Sequence, residues 1–115
     1  MSYFTNLPIR YIQEDRSYLD FFLQYRMRPE LGLDAISVDE CEESIHREIS
    51  QELKHASIPC SIHLPFHDMQ PGSLDRLILN STRERLKKAI CIAQIYEPEY
   101  ILGHTNFFPL YINFF

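Results

Sequence analysis

Residues 61–75 read SIHLPFHDMQPGSLD, and this stretch indicates the fold. The β-branched and apolar run over residues 58–62 predicts a buried strand that closes on His63. A loop punctuated by proline and glycine follows, and Ser73 and Asp75 are residue types that cap a helix. Strand, loop and helix in this order form the repeating unit of parallel α/β proteins.

Residues 100–104, YILGH, repeat the first half of that unit, because a second apolar strand closes on His104. The carboxyl ends of parallel strands lie at one edge of the sheet, where ligands and chemistry collect. Imidazole nitrogens are ligands for several divalent transition metals. The sequence therefore predicts that His63 and His104 meet at one rim and form a metal site.

Two more strand–helix units precede these. Strand one is predicted at 3–7 and strand two at 31–38, with helices beginning at Asp15 or Ser17 and at about Asp39. The third helix follows Asp75, and a capping-box sequence, STRE at positions 81 to 84, offers it a second start point. The order β-α-β-α-β-α-β predicts a (βα)-repeat parallel sheet of about four strands and three helices. No glycine-rich phosphate loop is present, which leaves a barrel, or part of one, as the fold class.

Composition sets the class of protein. The 115 residues suffice for a single domain, predicted over the whole chain, and the net charge of −5 argues against non-specific binding to nucleic acid. No apolar run reaches the roughly 20 residues that span a bilayer, and the N-terminus lacks the pattern of a secretory signal. Cys41, Cys60 and Cys91 are too widely spaced for a Cys-x-x-Cys pair, so a reduced, cytoplasmic setting is predicted.

The segment HLPFHDMQPGSLD, residues 63–75, resembles the third-strand region of the sugar phosphate isomerase/epimerase family. These are xylose isomerase-like TIM barrels, in a superfamily that also contains endonuclease IV. Residues 31–37 are similar to the family's second strand and residues 4–8 to its first. Since eight strands close a TIM barrel, the resemblance implies an N-terminal half of such a barrel.

The resemblance also implies a site. Metal-assisted proton transfer on a small sugar or sugar phosphate is the expected isomerase activity, with His63 and His104 binding zinc or manganese and His67 and Asp68 contacting the substrate. The family takes its carboxylates and further histidines from strands five to eight, which this chain does not contain. Whether the chain is an enzyme on its own therefore stays open at this stage, because a catalytic zinc site uses three protein ligands.

Two other functions remain open. One is an endonuclease IV-like, metal-dependent phosphodiesterase, and the other is a catalytically inactive fragment that self-associates. Self-association as a homo-oligomer is predicted from the two unpaired strand edges and from the apolar tail FFPLYINFF, residues 107–115. His46 and His55, on or near the second helix, are predicted to be solvated surface residues.

Overall fold

The computed structural model describes residues 3–106, which form a four-stranded sheet and five helices. The predicted apolar tail lies outside the described residues. The elements are, in chain order, β1 Thr5–Pro8, α1 Ile9–Glu14, α2 Ser17–Gln24, β2 Pro29–Gly32, α3 Ala35–Glu40, α4 Glu43–His55, β3 Ser61–His63, α5 Arg76–Ile95 and β4 Tyr100–Leu102.

All strand pairs are parallel, and the strand order β1-β2-β3-β4 follows the chain. The predicted (βα)-repeat parallel sheet is confirmed. The register places Gly32 level with His63, and His63 level with Leu102. The carboxyl ends of β2, β3 and β4 therefore lie level at one edge of the sheet. A rim shared by His63 and His104 requires this arrangement.

The two faces of the sheet differ in what covers them. Leu7, Leu31 and Ile62 lie level on one face and belong to the hydrophobic core that the helices form with the sheet. Because side chains alternate along a strand, their neighbours point to the opposite face, which we call the open face. It carries residues from all four strands: Asn6, Pro8, Glu30, Gly32, Ser61, His63, Tyr100 and Leu102.

Three predicted boundaries are wrong. Strand two ends at Gly32, because Asp34 accepts a hydrogen bond from the backbone N–H of Ser37 (2.8 Å) and so caps α3 in the middle of the predicted strand. The helix predicted from Asp39 is two helices, α3 and α4. The third helix has no second start, since Asp75 caps one continuous helix and Thr82 is buried inside it. With α1, a short helix that the sequence analysis did not predict, the described chain has five helices rather than three.

The prediction for His46 is also wrong, whereas His55 is exposed as predicted. The His46 side chain is fully buried between α4 and the end of α5, and its Nδ1 lies 2.6 Å from the hydroxyl of Tyr96. The buried face of α4 extends beyond the stripe of aliphatic residues to include His46 and Ser50. The hydrogen bond to Tyr96 gives Nδ1 of His46 a partner, whereas Nε2 is buried without one among the described residues. A neutral imidazole is therefore favoured there, since an unpartnered buried polar group is costly and a buried charge more so.

The part of the chain that the structure describes contains no helix long and apolar enough to cross a membrane. The three cysteines are free thiols, with Cys41 and Cys60 buried and Cys91 exposed. Burial raises the pKa of Cys60 to about 11, so this thiol is held in its protonated form.

Burial of His46 makes the stability of the fold depend on pH. Desolvation lowers the pKa of His46 below its ordinary 6.5, so the unfolded chain takes up a proton at a pH where the folded protein does not. The stability that depends on a neutral His46 is therefore fully present above pH 6.5. As the pH falls below that value, the free energy of unfolding decreases, by at most about 1.4 kcal/mol per pH unit. We expect His46→Gln to flatten the pH dependence of the free energy of unfolding, measured with urea at a series of pH values.

His55→Gln, on the same helix but exposed, is the matched control and should leave the pH dependence as it is in the wild type. Equal slopes for the wild type and His46→Gln would contradict this account of His46.

Candidate functional site

His63 and His104 meet at the rim of the sheet, as the sequence predicts. Their Nε2 atoms are 2.8 Å apart. The two rings are nearly parallel, at 11°, and their centroids are 4.8 Å apart, so the rings meet at their Nε2 edges rather than through overlapping faces. One imidazole must donate and the other accept in this contact, because two protonated nitrogens would repel each other.

Contacts from the loop after β3 hold His104 in place. Asn106 donates from Nδ2 to the backbone carbonyls of Phe66 (2.6 Å) and Met69 (2.7 Å), which ties the chain after β4 to that loop. The ring of Phe66 stacks on His104 at a centroid distance of 4.5 Å. The backbone N–H of Leu64 donates to the carbonyl of Leu102 at 2.8 Å, so strand pairing continues past His63. The pair is therefore positioned by the backbone as well as by its own contact.

Glu30 joins the two histidines, and sequence analysis missed it. Its Oε2 lies 3.6 Å from Nδ1 of His63, and the side chains of both residues are about three-quarters buried. A carboxylate facing Nδ1 favours the tautomer with the proton on that nitrogen, which leaves the lone pair of Nε2 directed at His104. The sequence Arg28-Pro29-Glu30 is typical of a helix stop, although Glu30 lies in β2, two residues before Gly32. Residues two apart in a strand point to the same face, so Glu30 and Gly32 share a face of β2. This spacing was the signal from which the position of Glu30 near the rim could have been predicted.

A cavity of about 520 Å³ opens beside these residues on the open face. Glu30, Gly32 and His63 line it together with Arg10 and Asp34. A Cβ at position 32 would lie 3.3 Å from the Cα of Pro8, so glycine keeps this part of the wall close to β1. The size of the cavity is within the range of sites for small molecules.

Arg10 and Asp34 form the charged side of the cavity. Nε of Arg10 lies 2.6 Å from Oδ2 of Asp34, while Oδ1 of the same carboxylate caps α3. The helix cap fixes Asp34, and Asp34 in turn fixes Arg10. The guanidinium is therefore held at the cavity wall although its side chain is 45% exposed.

The two predicted substrate-binding residues differ in position. His67 lines the cavity, and its ring packs on Phe66 with centroids 4.3 Å apart. Asp68 is exposed, has a left-handed backbone conformation (φ 63°), and is outside the set of described residues that line the cavity. Asp tolerates this conformation in turns, which gives Asp68 a local role in the loop.

The described residues supply fewer ligands than a metal ion usually binds in a protein. Within residues 3–106 no group of three or more His, Cys, Asp or Glu side chains has the geometry to hold one. His63 and His104 supply two ligands, and Glu30 lies behind His63, where a carboxylate orients a histidine that binds a metal. Two nitrogens on a tetrahedral zinc ion are about 3.3 Å apart, so the observed pair would need to open by about half an ångström.

Comparisons with known proteins bear on the fold alone. No protein-family model and no curated protein matches this chain. The TTHB071 protein from Thermus thermophilus, in a structure described as soaked with ZnCl2, has a similar fold, with a TM-score of 0.70 and 20% sequence identity over 93% of this chain. The chain spans 41% of the length of that protein.

The double role of Asp34 can be tested by two substitutions. We expect Asp34→Ala to lower the free energy of unfolding by about 1 kcal/mol, since it removes the helix cap. Asp34→Asn keeps a capping oxygen, so it should recover most of that loss even though it removes the charge that pairs with Arg10. Urea unfolding of both variants measures the difference. Equal destabilisation by the two variants would show that the pair with Arg10, rather than the cap, is the larger contribution.

Proposed function

We propose that this chain provides a metal and substrate site for isomerisation or epimerisation of a small sugar or sugar phosphate. The observation that supports it most is the contact between Nε2 of His63 and Nε2 of His104, 2.8 Å long, beside a cavity of about 520 Å³. The family resemblance of residues 63–75 gives the reaction class. The fold shared with the TTHB071 protein makes zinc the first ion to test, because that protein was soaked with ZnCl2.

The chain's own residues would divide the work. His63 and His104 would hold a divalent metal, zinc or manganese, which when bound polarises a substrate oxygen. Glu30 would keep the proton of His63 on Nδ1 and so leave Nε2 available as a ligand. His67 lines the same cavity and would contact the substrate. Because two protein ligands are fewer than a catalytic zinc site uses, the remaining positions would be filled by water, by substrate or by a further protein group.

Zinc binding tests the histidine pair directly. We expect the wild-type chain to bind Zn²⁺ in isothermal titration calorimetry, and His63→Ala or His104→Ala to abolish that binding, because either change leaves one protein ligand. Glu30→Gln should weaken it roughly tenfold to a hundredfold, the usual effect of removing a carboxylate that orients a ligand histidine.

His67→Ala and His55→Ala are the controls for this titration, and both should bind Zn²⁺ like the wild type. Binding that survives His63→Ala would show that the ion sits elsewhere and would contradict the proposed site.

Arg10 provides a test for the substrate class. A guanidinium held at the cavity wall is suited to the phosphate of a sugar phosphate. We expect Arg10→Ala to weaken binding of a sugar phosphate roughly 10- to 100-fold, the usual value of a hydrogen bond to a charged group, and to leave binding of the unphosphorylated sugar unchanged. Equal effects on both ligands would argue against a phosphate at Arg10.

A hydrolysis assay on DNA with an abasic site distinguishes the endonuclease-like alternative. Cleavage that depends on Zn²⁺ and on His63, without turnover of any sugar phosphate, would replace the isomerase proposal. The net charge of −5 makes the sugar ligand the better supported of the two.

A further inference from the structure

β4 is an edge strand that is exposed on both faces. Tyr100 is 60% exposed, Ile101 45% and Leu102 43%, and these successive side chains point to opposite faces of the sheet. Parallel sheets are normally covered on both faces, with strands made of buried apolar residues. β4 therefore has the composition of an interior strand without the surroundings of one in the described part of the chain.

Within residues 3–106, both edges of the sheet present backbone groups that have no partner strand. The carbonyl of Leu102 accepts from β3, so by alternation the N–H and C=O of Ile101 face away from the sheet. At the other edge Thr5 donates to the carbonyl of Arg28 in the chain entering β2 (2.8 Å), so the corresponding groups of Asn6 face outward. A parallel strand can be added at either edge. β1 and β4 each have outward-facing backbone groups, so β4 of one copy can pair in parallel with β1 of another.

We propose that a second copy of this chain covers these edges, with β4 of each copy paired in parallel to β1 of the other. A two-fold axis along the strands satisfies both junctions at once, since the four strands described within residues 3–106 of each copy together make the eight of a closed (βα) barrel.

The curvature of the sheet fits this arrangement. Phe4, directly before β1, and Tyr100 in β4 come from opposite edges, whose strands are about 14 Å apart by strand spacing. Their rings nevertheless meet over the open face, with centroids 6.0 Å apart and an edge-to-face angle of 85°. Both edges thus lean toward a common axis on the side where the second copy would lie.

The exposed apolar area at the two edges would supply about two-thirds of the area that a stable interface buries. Tyr3, Tyr100, Ile101 and Leu102 together expose roughly 400 Å² in each copy, taking about 200 Å² for a whole tyrosine. Two copies would bury roughly 800 Å² from these residues alone, and a stable interface needs about 1,200 Å². Backbone pairing along both junctions and the open-face residues would supply the rest.

The assembly bears on the site because the rim would then carry two sets of Glu30, His63 and His104. One described chain offers two metal ligands at this rim, so a second copy is a source of the missing ones. The association needs no metal and no substrate, and its test uses the metal-free chain, so it can fail or succeed independently of the proposed function.

Two substitutions by proline test the pairing without removing bonds inside the sheet. Ile101→Pro and Asn6→Pro each delete one outward N–H, and proline is tolerated at an edge position. Sedimentation equilibrium of the metal-free wild type should give a dimer, twice the 13.7 kDa of the chain, and each proline variant should give a monomer with an unchanged far-UV circular dichroism spectrum. Ile101→Val and Asn6→Ser, which keep the N–H groups, should remain dimers.

Mixing the two proline variants adds a test that loss of folding cannot imitate. In the mixed dimer both defects fall at one junction and the other junction is intact, so the mixture should regain dimers that neither variant forms alone. A monomeric wild type would overturn the proposal. So would a dimer that Asn6→Pro leaves intact, because β4 would then pair with something other than β1.

Discussion

Parallel pairing of β2, β3 and β4 is the constraint on which the site depends. The register sets Gly32, His63 and Leu102 level, so that the chain leaving β4 passes beside the end of β3. His104 can then reach His63 although the two are 41 positions apart in sequence. Since the core behind these strands consists of Leu31, Ile62 and the helices, the rim is supported by the most buried part of the molecule.

The contact between His63 and His104 could be predicted from the repeated strand pattern. The positions of the residues around the pair, Glu30 and Arg10, could not. Two apolar strands that each close on a histidine predict a shared rim because parallel strands end at the same edge. Glu30 was missed because a proline next to it is typical of a helix stop, and position 29 is a place where proline can also begin a strand. Arg10 was missed because its position depends on Asp34, whose role as a cap appears only when strand two ends at Gly32.

His46 illustrates the same limit in the helices. Most residues around His46 in the sequence are charged or polar, which is typical of a solvated position, but the tertiary contact with Tyr96, 50 positions away, accompanies burial of the ring. The spacing of apolar residues identifies the centre of the buried face of α4. It does not show how wide that face is, because the packing of α4 against α5 determines its width. The general order of strands and helices could therefore be predicted, whereas capping and long-range polar pairs could not.

The proposed metal site requires Nε2 of His63 and Nε2 of His104 to bind one ion. Anomalous diffraction at the zinc absorption edge, from crystals of the chain grown with Zn²⁺, tests this most directly. The account predicts a zinc peak between the two nitrogens, at about 2.0–2.1 Å from each, with the nitrogens separated to about 3.3 Å. A pair still in direct contact, with zinc absent from the rim or bound elsewhere, would contradict it.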